Sequence, residues 1–168
     1  MKASLTKTLL LPLCFSLFLT HCKLSDSAIN GNAKSPQLLK KEISFYQGLL
    51  KTNSNHHKAH LALGWAFLHD NQYAQAITSF NNAIRLSESN VVAYIGLGIA
   101  YQKSGHIQYA RHSYEKAKEF KPTWYLIDFQ IAKLHLQKNN ISKALAKVDD
   151  IMPYDKELAH QLINEIYP

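Results

Sequence analysis

The sequence predicts an all-α fold: helix pairs stacked into an α-solenoid of about eight helices, standing behind an N-terminal targeting segment. Two observations predict it. Residues 57–90 align on residues 91–124 without a gap, so the chain repeats itself with a period of 34. Gly and Pro number only 6 and 5 in 168 residues, which leaves long uninterrupted stretches of good helix formers such as Leu, Ala, Lys, Ile and Gln. The charge balance fits a solvated surface. The formal net charge is +7, but the lysines are scattered rather than gathered into a stripe, so no nucleic-acid partner is expected.

The first segment is 1–21. "MKASLTK" carries Lys2 and Lys7 and no acid, and "TLLLPLCFSLFL" follows as an apolar run interrupted by Pro12. A basic start and then about twelve mostly apolar residues is the layout of a signal peptide, and it is short for a bilayer-spanning helix. Cys14 and Cys22 are the only cysteines and both lie in the first 22 residues. The body of the chain therefore holds neither an internal disulfide nor a Cys-based zinc site. The run ends in "LTHC", which resembles the lipobox of bacterial lipoproteins through Leu19 and Cys22, with His21 where a small residue is usual. The resemblance implies cleavage before Cys22, a diacylated Cys22 thiol, and a lipid anchor in a bacterial cell envelope. Lys23 in place of Asp leans toward the outer membrane, facing the periplasm or the surface. Ordinary secretion, giving a soluble periplasmic or secreted protein, and an uncleaved anchor are the other outcomes. Residues 22–35 are polar, rich in Ser, Asn and Gly, and read as a flexible tether.

Folded structure is expected from Ser35 onward. "SPQLLKKEISFYQGLLKTNSN" reads as an amphipathic helix with Ser35 able to cap it and Pro36 in its first turn. In the register of the repeats, Tyr46 and Leu49 fall where Phe80 and Ala83 stand, so 36–56 is a lone second helix, a half repeat. Two full units follow, 57–90 and 91–124. Leu63 pairs with Leu97, Gly64 with Gly98, Phe67 with Tyr101, Ala76 with Ala110, Phe80 with Tyr114 and Ala83 with Ala117. A divergent third unit, 125–154, keeps Ile131, Ala132, Ala144 and Val148, places His135 at the aromatic position and brings in Pro153 early. Asn71, Gly105 and Asn139 recur at one turn, and each tolerates a left-handed backbone. In 155–167, Leu158, Leu162, Ile163 and Ile166 recur at helical spacing, as in a cap helix.

These spacings resemble the tetratricopeptide repeat (TPR), W-x2-L-G-x2-Y then A-x3-F then Pro. The second unit supplies Tyr94, Leu97, Gly98, Tyr101, Ala110, Tyr114 and Pro122; the first supplies His60, Leu63, Gly64, Phe67, Ala76 and Phe80, with Glu88 where Pro is usual. The resemblance implies paired helices that approach through small residues. It also implies a superhelix whose inner face, built from the first helix of each repeat, binds protein. That geometry puts Lys58, Leu61, Trp65, Leu68 and His69 on the inner face from the first repeat. The second gives Val92, Ile95, Ile99, Gln102 and Lys103, and the third Phe129, Lys133 and Leu136. Trp65 is the expected anchor for an extended peptide or a helix, with an acidic flank meeting Lys58, Lys103 and Lys133. The alternative for any one apolar member is burial in the core. Leu61, Trp65, Ile95 and Ile99 stand where chaperone-tail clamps carry Lys and Asn, so a cytosolic co-chaperone is disfavoured.

Little else suggests chemistry. There is neither a Gly-rich phosphate loop nor a G-x-S-x-G, and no enzyme activity, cofactor or small-molecule substrate is expected. His57 and His60 share a helix face at a spacing of three beside His56, but His60 holds the aromatic position of its repeat, so no metal is expected. The reading is a membrane-tethered scaffold or assembly factor that captures a peptide or helix of an envelope protein. The alternative is a lipoprotein that associates with peptidoglycan or regulates a cell-wall enzyme.

Overall fold

A computed structural model describes residues 35–168. The expected signal segment, Cys22 and nearly all of the expected tether lie outside the described residues. The chain divides into two units, Met1–Leu38 and Leu39–Pro168, and the second holds all but the start of the helical array. Among the described residues there are eight helices and no strand: α1 Pro36–Thr52, α2 His57–His69, α3 Tyr73–Leu86, α4 Val91–Lys103, α5 Ile107–Phe120, α6 Tyr125–Gln137, α7 Ile141–Ile151 and α8 Lys156–Ile166. The all-α solenoid expected from the repeat is the fold observed.

The helix ends follow from local chemistry. The Leu38 amide donates to Ser35 Oγ at 3.3 Å, the cap expected for α1. His56 Nδ1 accepts from the Ala59 amide at 3.1 Å and starts α2. Asn90 Oδ1 does the same for α4 through Ala93, and Asp155 Oδ1 for α8 through Leu158. The turn between paired helices needs one residue at positive φ. Asn71 (58°), Gly105 (82°) and Asn139 (56°) supply it, as their recurrence predicts.

Packing follows the period. Within each repeat the first helix lies against the second: α2 on α3, α4 on α5, α6 on α7. Each second helix also meets the next first helix, α3 on α4 and α5 on α6, with α7 on α8. The first helices touch one another in series, α2 to α4 to α6 to α8, whereas no contact joins α3 to α5 or α5 to α7 among the described residues. The array therefore bends toward its first helices, which line the inner face.

Small residues set how closely the pairs approach. A Cβ built on Gly64 would lie 2.7 Å from the Phe80 ring; one on Gly96 would strike the same ring, and one on Gly98 would strike the Tyr114 ring. Phe80 and Tyr114 are fully buried plugs that fill the gap each glycine leaves. The core of the second unit falls into three clusters along the array. Ile43, Phe67, Phe80 and Leu97 share the first, Ile95, Tyr114 and Ile127 the middle one, and Phe129, Ile151 and Leu162 the last. Ile43 in the first cluster, with Tyr46 and Leu50 against it, docks the lone helix α1 onto the first full repeat. At the other end Leu158, Ala159, Leu162 and Ile166 of α8 close the last cluster.

Candidate functional site

The inner face is built on the outward positions of α2, α4 and α6. Of the thirteen residues placed there by the repeat register, Lys58 and Lys103 are exposed, Leu61, Trp65, His69, Val92, Ile99, Gln102, Lys133 and Leu136 are half-buried, and Leu68 is buried in the first core cluster. Ile95 and Phe129 are 9% and 2% exposed and belong to the core. Ile95 packs in the cluster of Tyr114 and Ile127, and Phe129 in that of Val148 and Leu162, so a neighbouring helix covers each. The accessible apolar surface is thus narrower than the register alone suggests: besides Val92 and Leu136 it is Leu61, Trp65 and Ile99, which all rest on the first cluster.

Trp65 is held firmly. Its ring meets Phe80 edge-on, with centroids 5.4 Å apart and planes at 78°, and the His69 ring lies 6.5 Å away. A half-exposed indole backed by a fully buried phenylalanine is a preorganised contact, because little side-chain freedom remains to be lost on binding.

Beyond the apolar strip the inner face becomes polar. Gln102, Lys103, Lys133, Gln137 and Glu165 line an open depression of about 360 Å³ between α4, α6 and α8. The fully buried Tyr114 hydroxyl donates to Gln102 Oε1 at 3.0 Å, and Gln102 Nε2 donates in turn to Gln137 Oε1 at 3.3 Å. Burial pushes the Tyr114 phenol far above its usual range, so it remains a donor at any relevant pH. Lys133 Nζ stands 5.3 Å over the Phe129 ring and 3.7 Å from Glu165 Oε1. Sequence reasoning misses Gln137 and Glu165. Gln137 has a signal, since it is the 34-residue successor of Lys103; Glu165 has none, because its place depends on how α8 folds back on α6.

A second polar cluster lies between α5, α6 and α7. The Asp128 carboxylate, 5% exposed, accepts from Lys118 and, at 3.1 Å, from Lys147, which also pairs with Asp150. Burial works against the Lys147 charge, but its bonds to Asp150 and Asp128 outweigh that and raise its pKa. His135 is shifted the other way, downward, by burial and by the nearby cations Lys143, Lys147, Lys138 and Arg111. The histidines at the start of α2 are engaged locally: His56 caps the helix and His60 Nε2 lies 2.9 Å from the Ser54 carbonyl oxygen.

Comparison with known proteins agrees with this architecture. A family described as TPR repeat matches residues 64–105, and one described as tetratricopeptide repeat matches residues 91–123. The matched stretch contains the glycines, the aromatic plugs and the left-handed turn just described. Residues 64–123 are tetratricopeptide repeats. Both matching families are TPR families and neither is an enzyme family. Over 114 residues the chain is 28% identical to superkiller protein 3 of Schizosaccharomyces pombe, a match over 67% of this chain and 8% of that protein. The chain thus spans under a tenth of that relative's length. A TPR protein of Thermus thermophilus superposes with a TM-score of 0.71 at 17% identity, covering 79% of this chain and 75% of its own. The Yersinia enterocolitica type III secretion chaperone SycD, solved with a peptide of the translocator YopD, gives 0.59 at 21% identity, covering 65% and 88%. At these identities the structural likeness speaks for the fold.

Proposed function

We propose that this protein is a membrane-tethered scaffold or assembly factor of a bacterial cell envelope, holding a peptide or helix of an envelope protein on its inner TPR face. The observation that carries the reading is the strip of Leu61, Trp65 and Ile99, half-exposed and backed by the first core cluster. A rigid aromatic among aliphatic side chains, edged by lysines, suits an amphipathic segment. SycD, which shares the fold and was solved with a peptide of YopD, supports peptide capture as the kind of function. Tethering is supported by the sequence alone, through the basic start, the apolar run and Cys22 behind Leu19. Two or more acyl chains on Cys22 hold a protein stably, since each buried methylene contributes about 0.8 kcal/mol. The anchor then concentrates the inner face near envelope partners. Among the described residues no helix is long and apolar enough to cross a membrane.

The test has two arms. Growth with a palmitate analogue should label the wild type and not Cys22→Ala; an unlabelled wild type rejects the anchor. Affinity purification from detergent-solubilised envelopes should retain one envelope protein on the wild type and lose it on Trp65→Ala, with circular dichroism unchanged. A partner that survives Trp65→Ala binds elsewhere.

A further inference from the structure

The depression between α4, α6 and α8 presents donors almost exclusively. Tyr114 is buried and its hydroxyl has Gln102 Oε1 as acceptor, which fixes the Gln102 amide. That amide donates to Gln137 Oε1, and the Gln137 Nε2 hydrogens have no acceptor among the described residues. Lys103 and Lys133 add two ammonium groups. Lys103 makes no ion pair among the described residues, and Lys133, besides lying over the Phe129 ring, makes a single ion pair there, the long one to Glu165 at 3.7 Å, beyond hydrogen-bond range. Glu165 is therefore the single acidic group in a ring of donors, and it enters from the last helix rather than from the repeats. Its carboxylate takes the place an incoming acid would take.

We propose that this depression is a carboxylate subsite, in which Lys103, Lys133 and Gln137 receive an acidic group of a bound polypeptide in place of Glu165. The inference rests on the peptide-capture reading and assigns the polar end of that surface. A chain lying on Trp65 and Ile99 of α2 and α4 would reach the subsite by continuing along the inner face to α6. Glu165 then acts as an internal competitor: it faces Lys133 at 3.7 Å in the free protein and gives way to a closer, charge-assisted hydrogen bond.

The test is selection of random dodecapeptides on the full-length protein in mild detergent, using one library with free C-termini and one with the C-termini blocked. The selected peptides should carry Asp or Glu. Replacing that residue by its amide should weaken binding about tenfold. The same replacement should have no effect on binding to Lys103→Gln/Lys133→Gln. Glu165→Gln should tighten acidic peptides and leave neutral ones unchanged. Acid recognition confined to the free C-terminus library assigns the subsite to a terminal carboxylate, and recognition in both assigns it to a side chain. Selected peptides without an acid, or whose acid matters equally to the double variant, overturn the carboxylate subsite while peptide capture stands. Failure to select any peptide sensitive to Trp65→Ala overturns both. Because Lys103 is exposed and Lys133 half-buried, retained helicity of the double variant by circular dichroism separates lost recognition from lost fold.

Discussion

At the scale of single residues, two glycines in helices should respond to the same substitution with opposite sign. Gly98 faces the Tyr114 ring so closely that a Cβ would overlap it, and that ring is fully enclosed. Gly98→Ala must push a plug that has nowhere to go, and overpacking of this kind costs about 1–3 kcal/mol. The gain of about 1 kcal/mol from better helix propensity offsets only part of it. Gly48, in α1, has nothing within 4 Å, so Gly48→Ala keeps the propensity gain and should stabilise by about 0.5–1 kcal/mol. Urea melts with an unchanged m-value check both, and a stabilised Gly98→Ala would refute the plug-and-gap account. His135 sets a pH dependence. Its pKa is lowered in the folded protein, by burial first and then by Lys143, Lys147, Lys138 and Arg111. The folded state thus binds that proton less readily than the unfolded chain. The stabilisation from keeping His135 neutral is complete above the unfolded value near 6.5 and is lost as pH falls through the lower folded value. His135→Gln should flatten the fall in melting temperature between about pH 7 and pH 5, measured by calorimetry.

At the scale of elements, the Asp128 cluster shows what distinguishes the third repeat. Asp128 stands where the second repeat has Tyr94, and Lys147 where it has Ser113. In the second repeat Ser113 bonds back to the Tyr109 carbonyl and Tyr94 stacks on Phe120 at 5.8 Å. In the third, the carboxylate and the two lysines clamp α5, α6 and α7 together. Asp128→Ala removes the carboxylate that Lys118 and Lys147 share; since both lysines are partly exposed and Lys147 keeps Asp150, the loss should be about 1–3 kcal/mol, below the roughly 3–5 typical of a fully buried pair. Asp128→Tyr with Lys147→Ser, which rebuilds the second-repeat pattern, should lose less than Asp128→Ala. Thermal melts of the two variants decide between them. The same comparison shows how far the helices are legible in the sequence. Gly64, Gly98, the aromatic plugs and the three left-handed turn residues sit at fixed offsets and can be read directly, because a repeat dictates its own geometry. Asp128 with Lys147 leaves a trace, a polar pair at two repeat positions that are otherwise aromatic and Ser. Ile95 and Phe129 give none, since an apolar residue on a first helix faces the groove or a neighbouring helix according to the twist between repeats. Glu165 is invisible for a related reason: nothing local says which side of α6 the last helix will meet.

At the scale of the whole array, each helix pair contacts only its neighbours, so stability should behave as a sum of repeat terms and interfaces between adjacent repeats. Damage should therefore be local at an end and global in the middle. Leu162 of α8 is fully buried in the last cluster, with Phe129 and Ile151. Leu162→Ala creates a cavity worth about 2–4 kcal/mol. That is enough to open α8 and α7 while α2 and α3, whose core is Phe67 and Phe80, remain closed. Gly96→Ala strikes Phe80 at the junction of the first and second repeats, so it should loosen both sides together. Native-state hydrogen exchange read by mass spectrometry separates the two patterns. For Leu162→Ala, exchange should rise in 141–166 and stay near wild type in 57–86. For Gly96→Ala it should rise across 57–120. A uniform rise in both variants would mean that the array unfolds as one cooperative block. In that case loss of the α8 cap would no longer be a local event, and the repeats would not contribute to stability as separate terms.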